Sequence, residues 1–157
     1  MRGFVGSGKT TKALKLALAE LEAGRAALIC STDHQFVKDG VYQFDPTYLP
    51  MAHKNNQTRV EAAMKAEIDR IYVDNTNLQL WEMSPYVKLA ARFDYQVEIC
   101  EVVDERATAA VLAARNLHGV PEAAIVKMAE RWEAHGNYLG EAGDLKQILA
   151  AKPPWER

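Results

Sequence analysis

Two cysteines in 157 residues exclude a disulfide-built scaffold. Cys30 and Cys100 each close an apolar, strand-like run and have no neighbouring cysteine or histidine at metal spacing, so both are expected as buried free thiols in a reducing cytoplasm. An excess of positive charge is also missing: 19 basic residues against 21 acidic leave a net charge of −2. Without a global basic field, any contact with nucleic acid must be a local groove. Long hydrophobic runs are absent too. A bilayer span needs roughly 18 apolar residues, and no charged-then-apolar leader opens the chain, so a cytoplasmic protein with no membrane partner is expected. The length suits one domain with a single core, so no second catalytic domain is expected.

What is present begins at once. Gly3-Phe4-Val5-Gly6-Ser7-Gly8-Lys9-Thr10 fits the phosphate-binding pattern G-x-x-x-x-G-K-[ST] residue for residue. Such a loop needs glycines because its backbone must curl until several N–H groups point at one anion, and side chains would block both the curl and the approach. Gly3, Gly6, Ser7, Gly8, Lys9, Thr10 and Thr11 form the expected nucleotide-binding set, with Lys9 reaching the outer phosphates and the Thr10 hydroxyl suited to ligate Mg²⁺. A strand of about five residues usually precedes such a loop, and here only Met1 and Arg2 do. Residues 2–4 are therefore expected to pair only briefly with their neighbours, the anion cradle itself starting at Gly3.

Behind the loop, Leu14, Ala17, Leu18 and Leu21 recur at helical spacing from Lys9 to Ala23, and Gly24 follows as a stop. Residues 26–31 read as a buried strand leading into Thr32-Asp33, followed by a loop rich in aromatics and turn formers. A helix is expected over about 51–67, with Ala52, Val60, Ala63 and Met64 on one stripe, then a strand ending in Asp74. Residues 81–93 look helical, with a fresh start at Pro85 after Ser84 as cap. Residues 96–103 read as a strand and 104–114 as a helix. "RNLHGVP" breaks that helix, and another starts at Pro121 with Ile125, Met128, Ala129 and Trp132 on its stripe. A tail over about 136–157 adds a short helix and a loose end. Strands alternating with helices imply an α/β fold, a parallel sheet flanked by helices. Ligands in such sheets bind at the carboxyl ends of the strands, where the loop, Asp33 and Asp74 are all placed.

Those acids have two readings each. Asp74 suits an acid that holds the magnesium shell or the acceptor, or it caps the turn of Asn75, Thr76 and Asn77. Asp33 suits a general base taking the proton of an attacking hydroxyl, or it caps a loop. Transition-state charge also calls for a cation. Arg106 and Arg115 are nine residues apart, about 180° on an unbroken helix, so both cannot aim at one phosphate. Arg115, beside the break, suits a lid over about 106–121, and Arg106 a solvated surface. A GTPase is disfavoured, since no glycine follows Asp74 at D-x-x-G spacing and no N-K-x-D motif occurs. A hexameric ATPase would need a further helical domain.

"RGFVGSGKTT", "STD", "DGVYQFD" with "LPMAHKNNQTR", "VDNTNLQLWEMSPYV" and "ARNLHGVPEAAIVKM" together resemble the P-loop kinase-like proteins related to the polynucleotide kinase domain, especially the NEDD-binding-protein-two-like group. The likeness covers about residues 2–133. It implies ATP and Mg²⁺ as cofactors, Lys9 and Thr10 on the phosphates and metal, Asp33 as general base, Asp74 positioning the acceptor or the metal shell, and Arg115 in the lid. Similar phage proteins include kinases of 5′ ends and of hydroxymethyluracil within DNA, so DNA is the implied partner. This chain departs from the end-healing kinases, which carry an arginine three residues after the base, where Phe36 stands here. Its lid, Leu117-His118-Gly119-Val120, is shorter and less basic. The acceptor pocket therefore looks aromatic, with Phe36, Tyr42, Phe44, Tyr48 and Trp81 available to stack a base or to fill the core. A kinase for a free nucleoside, nucleotide or other small metabolite, and an ATP-binding module without turnover, remain the competing classes; oligomeric state is not legible.

Overall fold

The computed structural model describes residues 1–133 and 142–156, and the first part of the expected tail lies outside them. The fold is α/β, a parallel sheet flanked by helices, as the alternation implies. The chain divides into two compact units, one of residues 9–75 and the other of residues 1–8 with 76–157.

Within residues 9–75, helix α1 (Lys9–Glu22) leads to strand β1 (Ala27–Cys30) and a 3₁₀ turn (Thr32–Phe36). A hairpin of β2 (Val37–Lys38) and β3 (Val41–Tyr42), helix α2 (Leu49–Lys65) and strand β4 (Arg70–Val73) follow. β1 and β4 pair in parallel, from Ala27 opposite Arg70 to Cys30 opposite Val73. The amide of Asp74 donates to the Cys30 carbonyl at 2.9 Å, carrying the pairing one residue further. Both helices pack on this pair. α2 buries the expected stripe of Ala52, Val60, Ala63 and Met64.

α1 does not bury its leucines. Ala13 and Ala17 face the core, while Leu14, Leu18 and Leu21 are 51%, 58% and 55% exposed. Two apolar rows run side by side on this helix, offset by about 100°, and the small row lets the helix backbone approach the strands closely. The loop read after Asp33 contains an unexpected hairpin. Asp39 and Gly40 take φ of 51° and 77°, the left-handed pair that a two-residue turn between twisted strands requires.

In the other unit, α3 (Leu80–Arg92) packs on α6 (Ala142–Ala150), and α4 (Ala109–Arg115) on α5 (Glu122–Glu130). Met83, Val87 and Ile148 are buried with Leu80, Val97, Ile99 and Leu145 around them. A final 3₁₀ turn spans Pro154–Glu156. Three expectations are corrected here. α3 runs through Pro85 without restarting, opened instead by the Gln79 amide donating to the Glu82 carboxylate at 3.4 Å. Among the described residues, 96–103 pair through one parallel bridge, Arg2 to Glu101, rather than a ladder, flanked by Arg2 N–H to Cys100 O at 2.9 Å and Val102 N–H to Arg2 O at 2.8 Å. The helix expected from Asp104 starts at Ala109, since Asp104 closes its own turn by accepting from the Arg106 amide and Thr108 caps the Val111 amide.

Arg2 adds side-chain contacts to this bridge. It is fully buried, and its guanidinium donates to the carbonyls of Asn77 and Leu78 at 2.7 Å each, to the Glu101 carboxylate at 2.7 Å and to the Glu133 carbonyl, while stacking 3.9 Å from the Trp132 ring. One side chain thereby joins the residue before the loop to three other segments. Replacing Arg2 by Met should lower unfolding stability by about 3 kcal/mol, since it orphans buried acceptors. Urea unfolding measures this, and a loss below about 1 kcal/mol would show that the backbone pairing alone suffices.

Candidate functional site

The phosphate loop is shaped by contacts that forbid side chains. A Cβ on Gly3 would stand 2.3 Å from the Val102 carbonyl oxygen, and one on Gly6, at φ 72°, would stand 2.2 Å from that of Leu112 in α4. Gly3 donates its amide to Thr76 O at 3.0 Å, and Ser7 donates to Phe4 O at 3.3 Å, closing the turn. Gly3 thus packs the loop against its neighbours rather than offering its own N–H to an anion. The Ser7 hydroxyl is buried with no hydrogen-bond partner among the described residues. In the same unit Arg115 ends α4 and pairs with Asp104 at 2.9 Å, its side chain 52% exposed.

Lys9, Thr10 and Thr11 begin α1. The Thr10 hydroxyl donates to Asp74 Oδ2 at 2.6 Å, so the first turn of the helix and the end of β4 meet through the two residues singled out for metal chemistry. Asp74 is buried, and its Oδ1 has no hydrogen-bond partner among the described residues. Lys9 is buried beside it. Desolvation pushes its pKa down, against the opposing pull of the Asp74 and Asp33 carboxylates. Thr11 instead faces outward, lining a shallow groove with Leu14, Lys15 and Leu18.

Asp33 sits in the first turn of the 3₁₀ segment, where Ser31 Oγ accepts its amide at 3.2 Å. Tyr42 donates its hydroxyl to Asp33 Oδ1 at 3.2 Å. Burial, then the Asp33 charge and that bond, raise the Tyr42 pKa well above the ordinary phenol range. Three contacts fasten α2 to this turn: Thr32 to His53 at 3.3 Å, Asn55 to Gln35 at 3.2 Å, and Arg59 to His34 at 3.1 Å. Sequence reading assigned no role to these α2 residues. The usable signal was Asp39-Gly40, because a tight hairpin there folds Tyr42 back towards Asp33.

The aromatic candidates separate. Phe36 is 2% exposed and serves as an anchor against which Tyr42, Phe44 and Tyr48 pack at centroid distances of 6.1, 5.1 and 6.2 Å. Phe44 and Tyr48 stay open to solvent. Trp81 belongs to the other unit and packs edge-on against Trp155 at 5.1 Å.

A family model described as an AAA domain matches residues 1–135. The chain belongs to that family, a P-loop NTPase-like kinase family. It is also 41% identical over 134 residues to human NEDD4-binding protein 2, an alignment covering 85% of this chain and 7% of the relative's length. No described helix is long and apolar enough to cross a membrane.

P-loop kinase-like domains of this family generally bind ATP with Mg²⁺, and the residues present fit both. Thr10 and Asp74 offer the hard oxygen donors that magnesium prefers, one of them a buried oxygen without a partner. Among the described residues no cluster of three or more His, Cys, Asp or Glu could hold a metal. The ion's remaining ligands would thus be phosphate and water.

Burial lowers the pKa of both His53 and His34, with Arg59 adding to the depression at His34 and the nearby carboxylates opposing it. The unfolded chain, with histidines near their usual value of about 6.5, binds these protons more readily than the folded one. Stability should therefore fall as pH drops through about 6.5. Urea unfolding at pH 7.5 and 5.5 should show that loss shrinking when both histidines become Gln; an undiminished loss would place its origin elsewhere.

Proposed function

We propose that the chain is an ATP- and Mg²⁺-dependent kinase that transfers the γ-phosphate to a hydroxyl of nucleic acid, either a 5′-hydroxyl end or the hydroxymethyl group of a modified pyrimidine in DNA. The observation that carries this reading is the Thr10–Asp74 bond at 2.6 Å, with Lys9 close enough to feel both Asp74 and Asp33. Asp74 and Asp33 follow β4 and β1, at the sheet end where α/β folds take their ligands, which supports reading Thr10 and Asp74 as the metal pair and Lys9 as the phosphate cation.

In this reading Lys9 and Thr10 hold the triphosphate, and Asp74 fixes the Thr10 hydroxyl. The magnesium ion, when bound, neutralises charge on the phosphates. Asp33 accepts the proton of the acceptor hydroxyl as its oxygen bonds to the γ-phosphorus and ADP leaves. Arg115, in the lid, would supply a cation once released from Asp104. Lys9→Ala should abolish transfer and weaken ATP–Mg²⁺ binding, and Thr10→Ala should raise the magnesium requirement. Calorimetry with unchanged affinity in both would remove the nucleotide assignment. Asp33→Asn keeps the size and loses the proton acceptor, so near-normal ATP binding should accompany transfer slowed by about 10²–10⁴; an equal loss of ATP affinity would make Asp33 a structural residue.

The open rings of Phe44 and Tyr48, beside the Phe36 anchor, favour an acceptor with a base to stack. Turning a base out of a duplex costs a few kcal/mol and less in single strands. An oligonucleotide with a blocked 5′ end and an internal hydroxymethyluracil should be phosphorylated at least as well as one with a free 5′ end and ordinary thymine. Transfer to the second alone would return the chain to end phosphorylation, and transfer only to free nucleosides would make it a metabolite kinase.

A further inference from the structure

Helix α1 carries an apolar row that is left open to solvent. Ala13 and Ala17 turn to the strands, whereas Leu14, Leu18 and Leu21 are 51%, 58% and 55% exposed. Their spacing of four and then three residues is that of a heptad seam, the pattern by which one helix packs lengthwise on another. A contiguous apolar stripe of this kind marks an association surface, as scattered single leucines do not. The stripe is charged along one edge. Lys15 and Glu22 lie seven residues apart, about 10.5 Å along the helix axis, both exposed on the rim of the groove formed with Leu14 and Leu18. Neither takes part in an ion pair among the described residues, whereas Glu20 on the same helix is occupied by Arg25 and Arg70.

That edge is complementary to itself once it is turned end for end. A two-fold axis crossing α1 between Leu18 and Ala19 brings the partner's Glu22 opposite Lys15 and the partner's Lys15 opposite Glu22, so one contact makes two ion pairs. The same turn sets the leucines of each helix at heights between those of the other, where knobs enter holes. A parallel pairing would instead oppose lysine to lysine and glutamate to glutamate. We propose that the outer face of α1 is a self-association surface through which two copies of this chain pair antiparallel. The seam is short: α1 has 14 residues, about 21 Å of helix, too little for the roughly 1,200–2,000 Å² of a standard interface. The dimer is therefore a reversible one, with Kd of about 10–100 µM. Lys9 shares the inward row of Ala13 and Ala17, and Thr10 is bonded to Asp74, so the seam leaves both free for a nucleotide. The pairing does not depend on the kinase reading.

Sedimentation velocity of the whole chain from about 5 to 500 µM, a range spanning that Kd, should show the 17.5 kDa monomer giving way to a dimer. Leu18→Glu sets two carboxylates at the axis and should leave a monomer at every concentration. The position is open to solvent, and urea unfolding of the dilute protein checks that the fold survives. Lys15→Glu or Glu22→Lys alone should each weaken association by about 10-fold, since both pairs become repulsive. The two exchanges together should recover it, and so should an equimolar mixture of the two single variants, in which every opposed pair again has opposite signs. These charge variants decide the matter alone if Leu18→Glu unfolds. A wild-type chain that stays monomeric throughout would overturn the proposal and assign the leucine row to a different partner. A dimer that tolerates Leu18→Glu would place the contact on another surface, and a double exchange no better than the single ones would exclude the antiparallel arrangement; either result overturns it.

Discussion

The buried guanidinium of Arg2 is the constraint on which the phosphate-loop unit depends. A loop of this kind must start from a fixed point, and elsewhere a run of ladder hydrogen bonds supplies it. Among the described residues the backbone here contributes one bridge, to Glu101. The rest comes from a planar side chain satisfied on all sides by the carbonyls of Asn77, Leu78 and Glu133, the carboxylate of Glu101 and the face of Trp132. A lysine has neither the fork nor the flat surface for those roles. Because Arg2 directly precedes Gly3, the fixed point adjoins the cradle, and the close carbonyls of Val102 and Leu112 then leave room only for glycine at Gly3 and Gly6.

Residues 9–75 solve a different problem, that of placing two acids after the strands of one parallel pair. Asp74 spends one oxygen on Thr10, and Asp33 accepts from Tyr42. Burial lowers the pKa of Lys9, and the charges of both acids oppose that shift. Each acid follows a strand of the parallel pair, so the register of Cys30 against Val73 also sets the placement of the two carboxyl groups. The 3₁₀ turn after β1 then lets side chains on α2 and β3 close around Asp33.

Much of this was legible in the residues, for stateable reasons. The loop motif, the helix behind it, the acids at strand ends and the stripe on α2 were readable because each depends on short-range spacing or on local chemistry. The buried face of α1 was not: Ala13 and Ala17 lie beside an equally regular leucine row, and periodicity cannot say which row the strands select. Residues 96–103 had strand composition, but a ladder is a property of two segments, and among the described residues the two pair at Arg2 and Glu101. Arg59 and His34 lie 25 residues apart and carry no local signal; their meeting is decided by how α2 docks on the 3₁₀ turn.

Asn116, between α4 and α5, uses both ends of its amide. It donates to the carbonyls of Ala113 and Val120 and accepts from the amides of His118 and Val120. The six-residue connection is thereby closed on itself by four hydrogen bonds, although Leu117 at its tip is 93% exposed. The same turn fixes the backbone at the end of α4, and with it Arg115, relative to the start of α5, so the position of that cation is set by local hydrogen bonds rather than by burial.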